Sequence, residues 1–197
     1  MKKIFYIMGK SATGKDTLYH KILEDEDLKL KSVTLYTTRP KRVGELDGEE
    51  YYFVDKKVLE ELRYKDEIIE ERVYHTVYGD WYYFLAKNNG IDLSKSNYLM
   101  IGTLESYNKM RKHFGKESIV PIYIEVEDGL RLRRALDREL AQKEPKYLEM
   151  CRRFIADTKD FSEVNLEKNE ICLRFNNIDL NQTFNKIKDY IYSMIKE

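Results

Sequence analysis

The stretch Ile4-Phe5-Tyr6-Ile7-Met8-Gly9-Lys10-Ser11-Ala12-Thr13-Gly14-Lys15-Asp16-Thr17 decides the fold. Lys3–Met8 is short, continuous, apolar and β-prone, and reads as a strand buried on both faces. Lys15–Glu24 carries Leu18, Ile22 and Leu23 as the apolar stripe of a helix. Strand, glycine loop and helix in this order aim successive N–H groups and the positive helix end at an anion. Gly9 and Gly14 allow the backbone angles such a loop needs. Ser11, Ala12 and Thr13 lie between them, and Lys15 supplies a mobile cation to the β- and γ-phosphates of a nucleotide. The usual pattern, G-x-x-x-x-G-K-[ST], places a hydroxyl after the lysine, where it ligates Mg²⁺. Here Asp16 takes that position and Thr17 follows. Asp16 is a harder oxygen ligand, yet it adds negative charge beside a polyphosphate. One reading has Asp16 or Thr17 serving the metal. The other has Asp16 favouring the helix N-terminus by roughly 0.3–1 kcal/mol. A glycine-rich turn without a ligand is the plainer alternative.

The 197 residues suit one core with an inserted lobe. The 35 basic and 35 acidic residues cancel, which argues against non-specific binding to nucleic acid or to an anionic membrane. Two cysteines, Cys151 and Cys172, make no disulfide framework and form no metal-binding C-x-x-C pair. No early apolar stretch resembles a signal peptide and no run is long enough to span a bilayer. The expectation is a soluble cytoplasmic protein. Only 3 prolines and 9 glycines argue against long linkers.

Beyond the loop, Lys31–Thr34 reads as a short strand. From about 35 to 84 the chain is rich in tyrosine and turn signals. Short strands (Tyr51–Val54, Arg72–Tyr78) and one helix (Lys56–Tyr64) fit this insert of mostly antiparallel sheet. Alternation then resumes: strand Tyr98–Ile101, helix Thr103–Phe114, strand Ser118–Glu125, helices Asp128–Gln142 and Glu144–Phe161, strand Ile171–Phe175 and a last amphipathic helix. The pattern predicts an α/β fold with a central parallel sheet and a ligand site at the carboxyl ends of its strands.

A second segment narrows the chemistry. Thr37-Thr38-Arg39-Pro40-Lys41-Arg42 is followed by Gly44-Glu45-Leu46-Asp47-Gly48-Glu49-Glu50-Tyr51-Tyr52-Phe53. Two closely spaced guanidiniums suit forked contacts to one phosphate, and the phenols of Tyr51 and Tyr78 can donate to the same group. Further on, Arg131, Arg134 and Arg138 share a helix face. Together with the loop, these motifs resemble the guanylate kinase family, with its T-T-R-x-x-R and G-E-x-[DN]-G-x-x-Y-x-F segments, over nearly the whole chain.

The resemblance implies a P-loop kinase core (1–34 and 85–197) with a helical lid at about 128–161. It also implies an inserted α+β lobe (35–84) that binds a nucleoside monophosphate. Its reaction is transfer of the γ-phosphoryl group of ATP, with Mg²⁺, to GMP or dGMP. Carried onto this sequence, Lys15, Arg134, Arg138 and Arg153 are catalytic. Gly9, Ser11, Ala12, Thr13, Gly14, Lys15, Asp16 and Thr17 bind ATP phosphates, and Asp16 and Thr17 serve the metal. Arg39, Arg42, Tyr51, Glu70, Tyr78 and Asp80 bind the acceptor. Arg131 and Arg133 read instead as a charged helix face paired with Asp137, Glu139 or Glu149.

Departures from the family pattern cluster on the base-reading side. Leu35 stands where the family has serine, Asp80 follows Tyr78-Gly79 in place of Ser or Thr, and Leu99-Met100-Ile101-Gly102 lacks both acids of L-D-I-D. Glu70 is left as the guanine-edge acceptor, with Asp80 and Glu105 as stand-ins for the lost groups. Such losses relax or change specificity. Two further readings therefore stay open. One is a related kinase with another acceptor, such as ribose 1,5-bisphosphate, whose loop also has the G-K-D-[ST] form. The other is a non-catalytic guanylate-kinase-like module that binds phosphopeptides.

Overall fold

Ile4–Met8 forms strand β1, and all five of its residues are buried. The computed structural model of the protein describes residues 2–42, 44–49, 51–76 and 79–196. Burial on both faces requires neighbours on both edges, and β1 has them. It pairs in parallel with β7 (Tyr98–Ile101) and β8 (Ile119–Glu125), with Ile4 opposite both Tyr98 and Ile119. Adding β2 (Lys31–Ser32) and β9 (Arg174–Asn176) gives a parallel five-stranded sheet in the order β2-β7-β1-β8-β9.

Alternation along β1 sorts its side chains between two helical layers. Ile4, Tyr6 and Met8 pack with Leu104, Tyr107 and Met110 of α3 (Leu104–Phe114). Phe5 and Ile7 pack with Leu18 and Ile22 of α1 (Lys15–Leu23) and with Ile187 and Ile191 of α7 (Leu180–Lys196). Each such buried aliphatic or aromatic side chain contributes about 1.5–3 kcal/mol relative to exposure. The order of strands places the β1–α1 loop at the carboxyl edge of the sheet, where α/β folds bind ligands.

The second sheet is mixed, in the order β4-β3-β6-β5. Strand β3 (Leu35–Thr37) runs parallel to β4 (Tyr51–Phe53) and antiparallel to β6 (Gly79–Ala86), which pairs antiparallel with β5 (Ile68–Thr76). Helix α2 (Lys56–Tyr64) covers it through Leu59 and Leu62, which meet Phe84 and Ala86. Leu85, between those two, points the other way into the core of the parallel sheet. One strand thus ties both sheets together. The fold is α/β, a parallel sheet with helices plus a separate mixed-sheet lobe.

Helices α4 (Asp128–Leu140), α5 (Tyr147–Asp160) and α6 (Glu163–Lys168) follow β8. Several elements differ from their sequence reading. The expected strand at 171–175 begins only at Arg174. Ile171 is buried, but its N–H closes the end of α6 on the Leu166 carbonyl. Helix α5 starts at Tyr147 rather than Glu144, because the Lys146 N–H is captured by the Glu139 carboxylate at 2.9 Å. Strand β6 and helix α6 were not separately legible, and the last two residues of the expected strand 72–78 lie outside the described residues.

Candidate functional site

The glycine loop folds as its sequence demands. Gly14 caps α1 with φ 82°, a left-handed conformation that costs glycine nothing, and no side chain caps the helix. The first-turn amides are therefore left pointing into the cleft. Ala12 also adopts positive φ (63°), which is uncommon for a residue with a Cβ and frequent at functional turns. The loop is tied from behind. Thr13 Oγ1 donates to the Lys10 carbonyl at 2.9 Å, and Asn177 Nδ2 donates to the Thr13 carbonyl at 2.8 Å. The Ser11 N–H donates to Asp157 Oδ2 at 2.6 Å.

An open cleft of about 460 Å³ lies in front of the loop. It is lined by Ala12, Gly14, Asp16 and Thr17 of the loop and α1, by Arg134 and Arg138 of α4, and by Asn177 and Ile178. Lys15 Nζ sits 3.2 Å from Asp16 Oδ2. Arg134 Nη2 donates to the Asn177 carbonyl at 3.1 Å. Arg138 borders both this cleft and a neighbouring cavity of about 230 Å³, which Arg153 and Glu149 also line.

Arg153 is not brought to the loop in this structure. Its Nε donates to Glu149 Oε1 at 2.8 Å, and Arg152 takes the other oxygen at 2.7 Å. The Arg152 hydrogen bonds, followed by those of Arg153, push the Glu149 carboxyl down to about 2 from 4.5. A depressed carboxylate stabilises the fold above its unfolded pKa and loses that contribution as pH falls towards the folded value. Thermal melts of the native chain should therefore show a small loss between about pH 4.5 and pH 2 that Glu149→Gln lacks, small because solvent screens the trio.

Arg131 is structural, as the sequence suggested, but it is not on a charged face and its partners are not those expected. It is 1% exposed. Its guanidinium meets Asp128 Oδ1 at 3.0 Å, Asp157 Oδ2 at 3.4 Å and the Ser11 carbonyl at 3.3 Å, over the Phe154 ring at 4.2 Å. Asp128, three residues earlier on α4, holds the fork at 3.0 and 3.1 Å, and Asp157 of α5 adds a longer contact that helical periodicity does not encode.

On the lobe, Arg39 is 4% exposed and heavily bonded. Its fork grips Glu45 at 2.6 and 3.0 Å, and its Nε donates to Tyr83 Oη at 3.1 Å. The guanidinium lies over the rings of Tyr51 and Phe53, 5.7 and 5.5 Å from their centroids. Glu45 also accepts from the Arg42 N–H at 2.7 Å, so one carboxylate sets both ends of the T-T-R-x-x-R turn. The Arg39 hydrogen bonds hold that carboxyl below its usual range. Sequence reading gave Glu45 and Tyr83 no role. Glu45 stands in the G-E motif, a signal that could have found it, whereas nothing separates Tyr83 from the other tyrosines. The Arg42 side chain is exposed, and Tyr78 lies outside the described residues.

Glu70 is 1% exposed on the inner face of β5. Asp80 is not brought to it. Asp80 Oδ1 pairs with His75 Nδ1 at 2.7 Å, five residues along the hairpin from the Glu70–Leu85 pair, or about 17 Å at the rise of an antiparallel strand. Glu105 is exposed and paired with Lys109 at 2.7 Å.

A phosphate loop at the head of a parallel sheet, arginine-bearing helices across its cleft and a separate lobe with a buried arginine define a class, the P-loop nucleoside monophosphate kinases. A family model described as guanylate kinase matches residues 1–194. The guanylate kinase of Anaplasma phagocytophilum (strain HZ) is 32% identical over 145 residues, covering 71% of this chain and 68% of that protein. That of Mycoplasma mobile is 38% identical over 78 residues, covering 39% of each chain. A crystal structure of guanylate kinase from Anaplasma phagocytophilum superposes with a TM-score of 0.62 at 22% identity, covering 98% of this chain and 85% of that one. The chain belongs to the guanylate kinase family, ATP-dependent kinases whose acceptor is GMP. No helix is long and apolar enough among the described residues to cross a membrane.

Proposed function

We propose that the chain transfers the γ-phosphoryl group of ATP to GMP by gripping donor and acceptor phosphates with two separately built cation sets. The observation that carries this reading is the uncapped, left-handed start of α1 at Gly14, with Lys15 beside it, opening onto a cleft bordered by Arg134 and Arg138. Backbone amides of residues 11–17 and the helix N-terminus hold the donor phosphates, and Lys15 follows the charge as it moves. Arg134 and Arg138 act from α4, and Arg153 joins once it leaves Glu149. Arg39, Arg42, Tyr51 and Tyr78 hold the acceptor phosphate, with Glu45 and Tyr83 fixing the Arg39 plane. No covalent intermediate is required, since alignment and preorganised charge supply the acceleration.

Among the described residues no three His, Cys, Asp or Glu side chains converge as a self-sufficient metal site. A Mg²⁺ that arrives with nucleotide phosphates needs only one or two protein oxygens beside its waters. Asp16 and Thr17, both exposed on the loop's cleft, fit that requirement and would hold it. Bound there, the ion would neutralise part of the polyphosphate charge.

The test is ADP release from ATP with GMP, dGMP, AMP, UMP, CMP and ribose 1,5-bisphosphate as acceptors. Turnover with GMP or dGMP is expected. Turnover with the sugar bisphosphate alone, or phosphopeptide binding without turnover, would sink the proposal. Arg39→Ala should raise KM for GMP ~10–100-fold while KM for ATP changes less than about threefold, since charge-assisted bonds to the acceptor phosphate are lost. Equal losses for both substrates would remove Arg39 from the acceptor clamp.

A further inference from the structure

A trans peptide is planar, and its C=O and N–H point in opposite directions. Whatever grips the carbonyl of a loop peptide therefore decides where the next residue's N–H points. In the peptide joining Lys10 to Ser11, the carbonyl accepts from Thr13 Oγ1 at 2.9 Å, and the N–H on the other side donates to Asp157 Oδ2 at 2.6 Å. Two further peptides of the loop have only their carbonyls gripped. The Ser11 carbonyl accepts from Arg131 Nη1 at 3.3 Å, and the Thr13 carbonyl accepts from Asn177 Nδ2 at 2.8 Å. The N–H groups that follow them, of Ala12 and Gly14, have no partner among the described residues.

The Asn177 side chain is held where it can set the second of these peptides. Asn177 is 3% exposed. Its N–H donates to the Glu125 carbonyl at 2.9 Å, and its own carbonyl accepts from Arg134 Nη2 at 3.1 Å, so its backbone is fixed from two elements. The approach to the loop is close. A Cβ at Gly14 would lie 2.5 Å from Asn177 Nδ2, so the amide fills the space that any other residue at position 14 would need. Asn177 Oδ1 is buried without a partner. Native interiors pair nearly all such atoms, and each exception calls for a reason. This amide forgoes one of its own hydrogen bonds and keeps the one that sets a loop peptide.

We infer that Asn177 is a positioning residue for the donor site: by holding the Thr13 carbonyl, its side chain aims the Gly14 N–H at the donor phosphates. The inference rests on the kinase reading above and deepens it. Gly14 stands at the start of α1, where the helix already presents amides to an anion. An N–H fixed before the phosphate arrives needs no reorganisation to meet it. Without the Asn177 donor the peptide between Thr13 and Gly14 can turn over, because glycine accepts either sign of φ. A carbonyl oxygen then faces the phosphate oxygens in place of an N–H. Arg131 sets the Ala12 N–H in the same way.

The test follows the Gly14 amide by NMR in the ¹⁵N-labelled full chain as ADP and Mg²⁺ are added, and measures KM for ATP and for GMP. It compares the native chain with Asn177→Leu and Thr183→Val. Asn177→Leu keeps the volume and removes the donor. Thr183→Val controls for packing, because the buried Thr183 hydroxyl donates to the neighbouring Asn176 carbonyl at 3.0 Å rather than to the loop. In the native chain the Gly14 proton should move downfield with ADP, the mark of a charge-assisted hydrogen bond, and in Asn177→Leu it should hardly move. KM for ATP should rise ~10–100-fold in Asn177→Leu while KM for GMP stays within about twofold. Thr183→Val should leave both constants within about twofold, whatever its Tm. Asn177→Ala adds no bulk beside Gly14 and should repeat the Asn177→Leu result, which keeps the test open if the leucine variant does not fold. A Gly14 proton that answers ADP alike in the native chain and the Asn177 variants, or KM values for ATP and GMP that rise together, overturns the inference alone. A native chain in which no loop amide answers ADP overturns the kinase reading and the inference with it.

Discussion

Lys15→Met should reduce kcat by about 10³-fold or more and leave the protein folded. The size follows from what the lysine does and what it does not do. Among the described residues its ammonium forms an ion pair with Asp16 at 3.2 Å, and the Asp16 side chain is 75% exposed. An exposed pair of this kind contributes about 0–1 kcal/mol to stability. The Tm should therefore move by no more than about 4 °C. Methionine keeps the length and the apolar stem, so the loop's backbone ties to Asn177 and Asp157 persist. What is lost is a cation that can follow charge from the β- to the γ-phosphate during transfer. A chain retaining a tenth of the native rate would show that Lys15 is outside the mechanism and that backbone amides alone stabilise the moving charge. A chain that loses rate and Tm together would show that the lysine is a structural member of the loop.

How much of this was legible in the sequence depends on the range of the interaction. The strand–loop–helix from Ile4 to Leu23 was readable because each step is local. A continuous apolar run must be buried, a glycine before a helix can cap it left-handed, and the helix stripe repeats every three to four residues. The T-T-R-x-x-R segment was readable as a turn carrying two closely spaced arginines for the same reason. Its support was only half readable: Glu45 lies six residues from Arg39, but Tyr83 arrives from another strand and is one of 16 tyrosines.

The surroundings of Gly102 were illegible for a different reason. Tyr6 looked like one more packing residue in an apolar strand, and Gly102 like a simple loss. Only their juxtaposition shows that a side chain on β1 fills the space a Cβ at Gly102 would take. The arginines of α4 illustrate the same limit. Periodicity places Arg131, Arg134 and Arg138 on one face, yet Arg131 is buried and Arg138 exposed: besides Asp128 of its own helix, Arg131 meets Asp157 and the Phe154 ring of α5 and the Ser11 carbonyl of the loop.

That setting makes Arg131→Met the second large effect, on stability rather than on chemistry. Removing one partner from a buried charge network costs about 3–5 kcal/mol, because the remaining carboxylate stays desolvated and uncompensated. Asp157, whose side chain is 18% exposed, would keep only the Ser11 N–H at 2.6 Å. Methionine still packs against the Phe154 ring, so the loss reports the charge rather than the volume. A fall in Tm of about 10 °C is expected. Arg133→Met, at an exposed site two residues away on the same helix, should shift stability by less than about 0.5 kcal/mol. Because Arg131 also holds the Ser11 carbonyl, the loop loses an anchor on its donor-binding side, and KM for ATP should rise ~10-fold while KM for GMP stays within about twofold. Pairing Arg131→Met with Asp157→Leu removes the stranded carboxylate and should recover part of the Tm without recovering KM for ATP. Recovery of both together would mean that Arg131 and Asp157 act on the loop only through global stability. An Arg131→Met chain as stable as Arg133→Met would mean that the buried network is neutral and that α4 is seated by its apolar contacts alone.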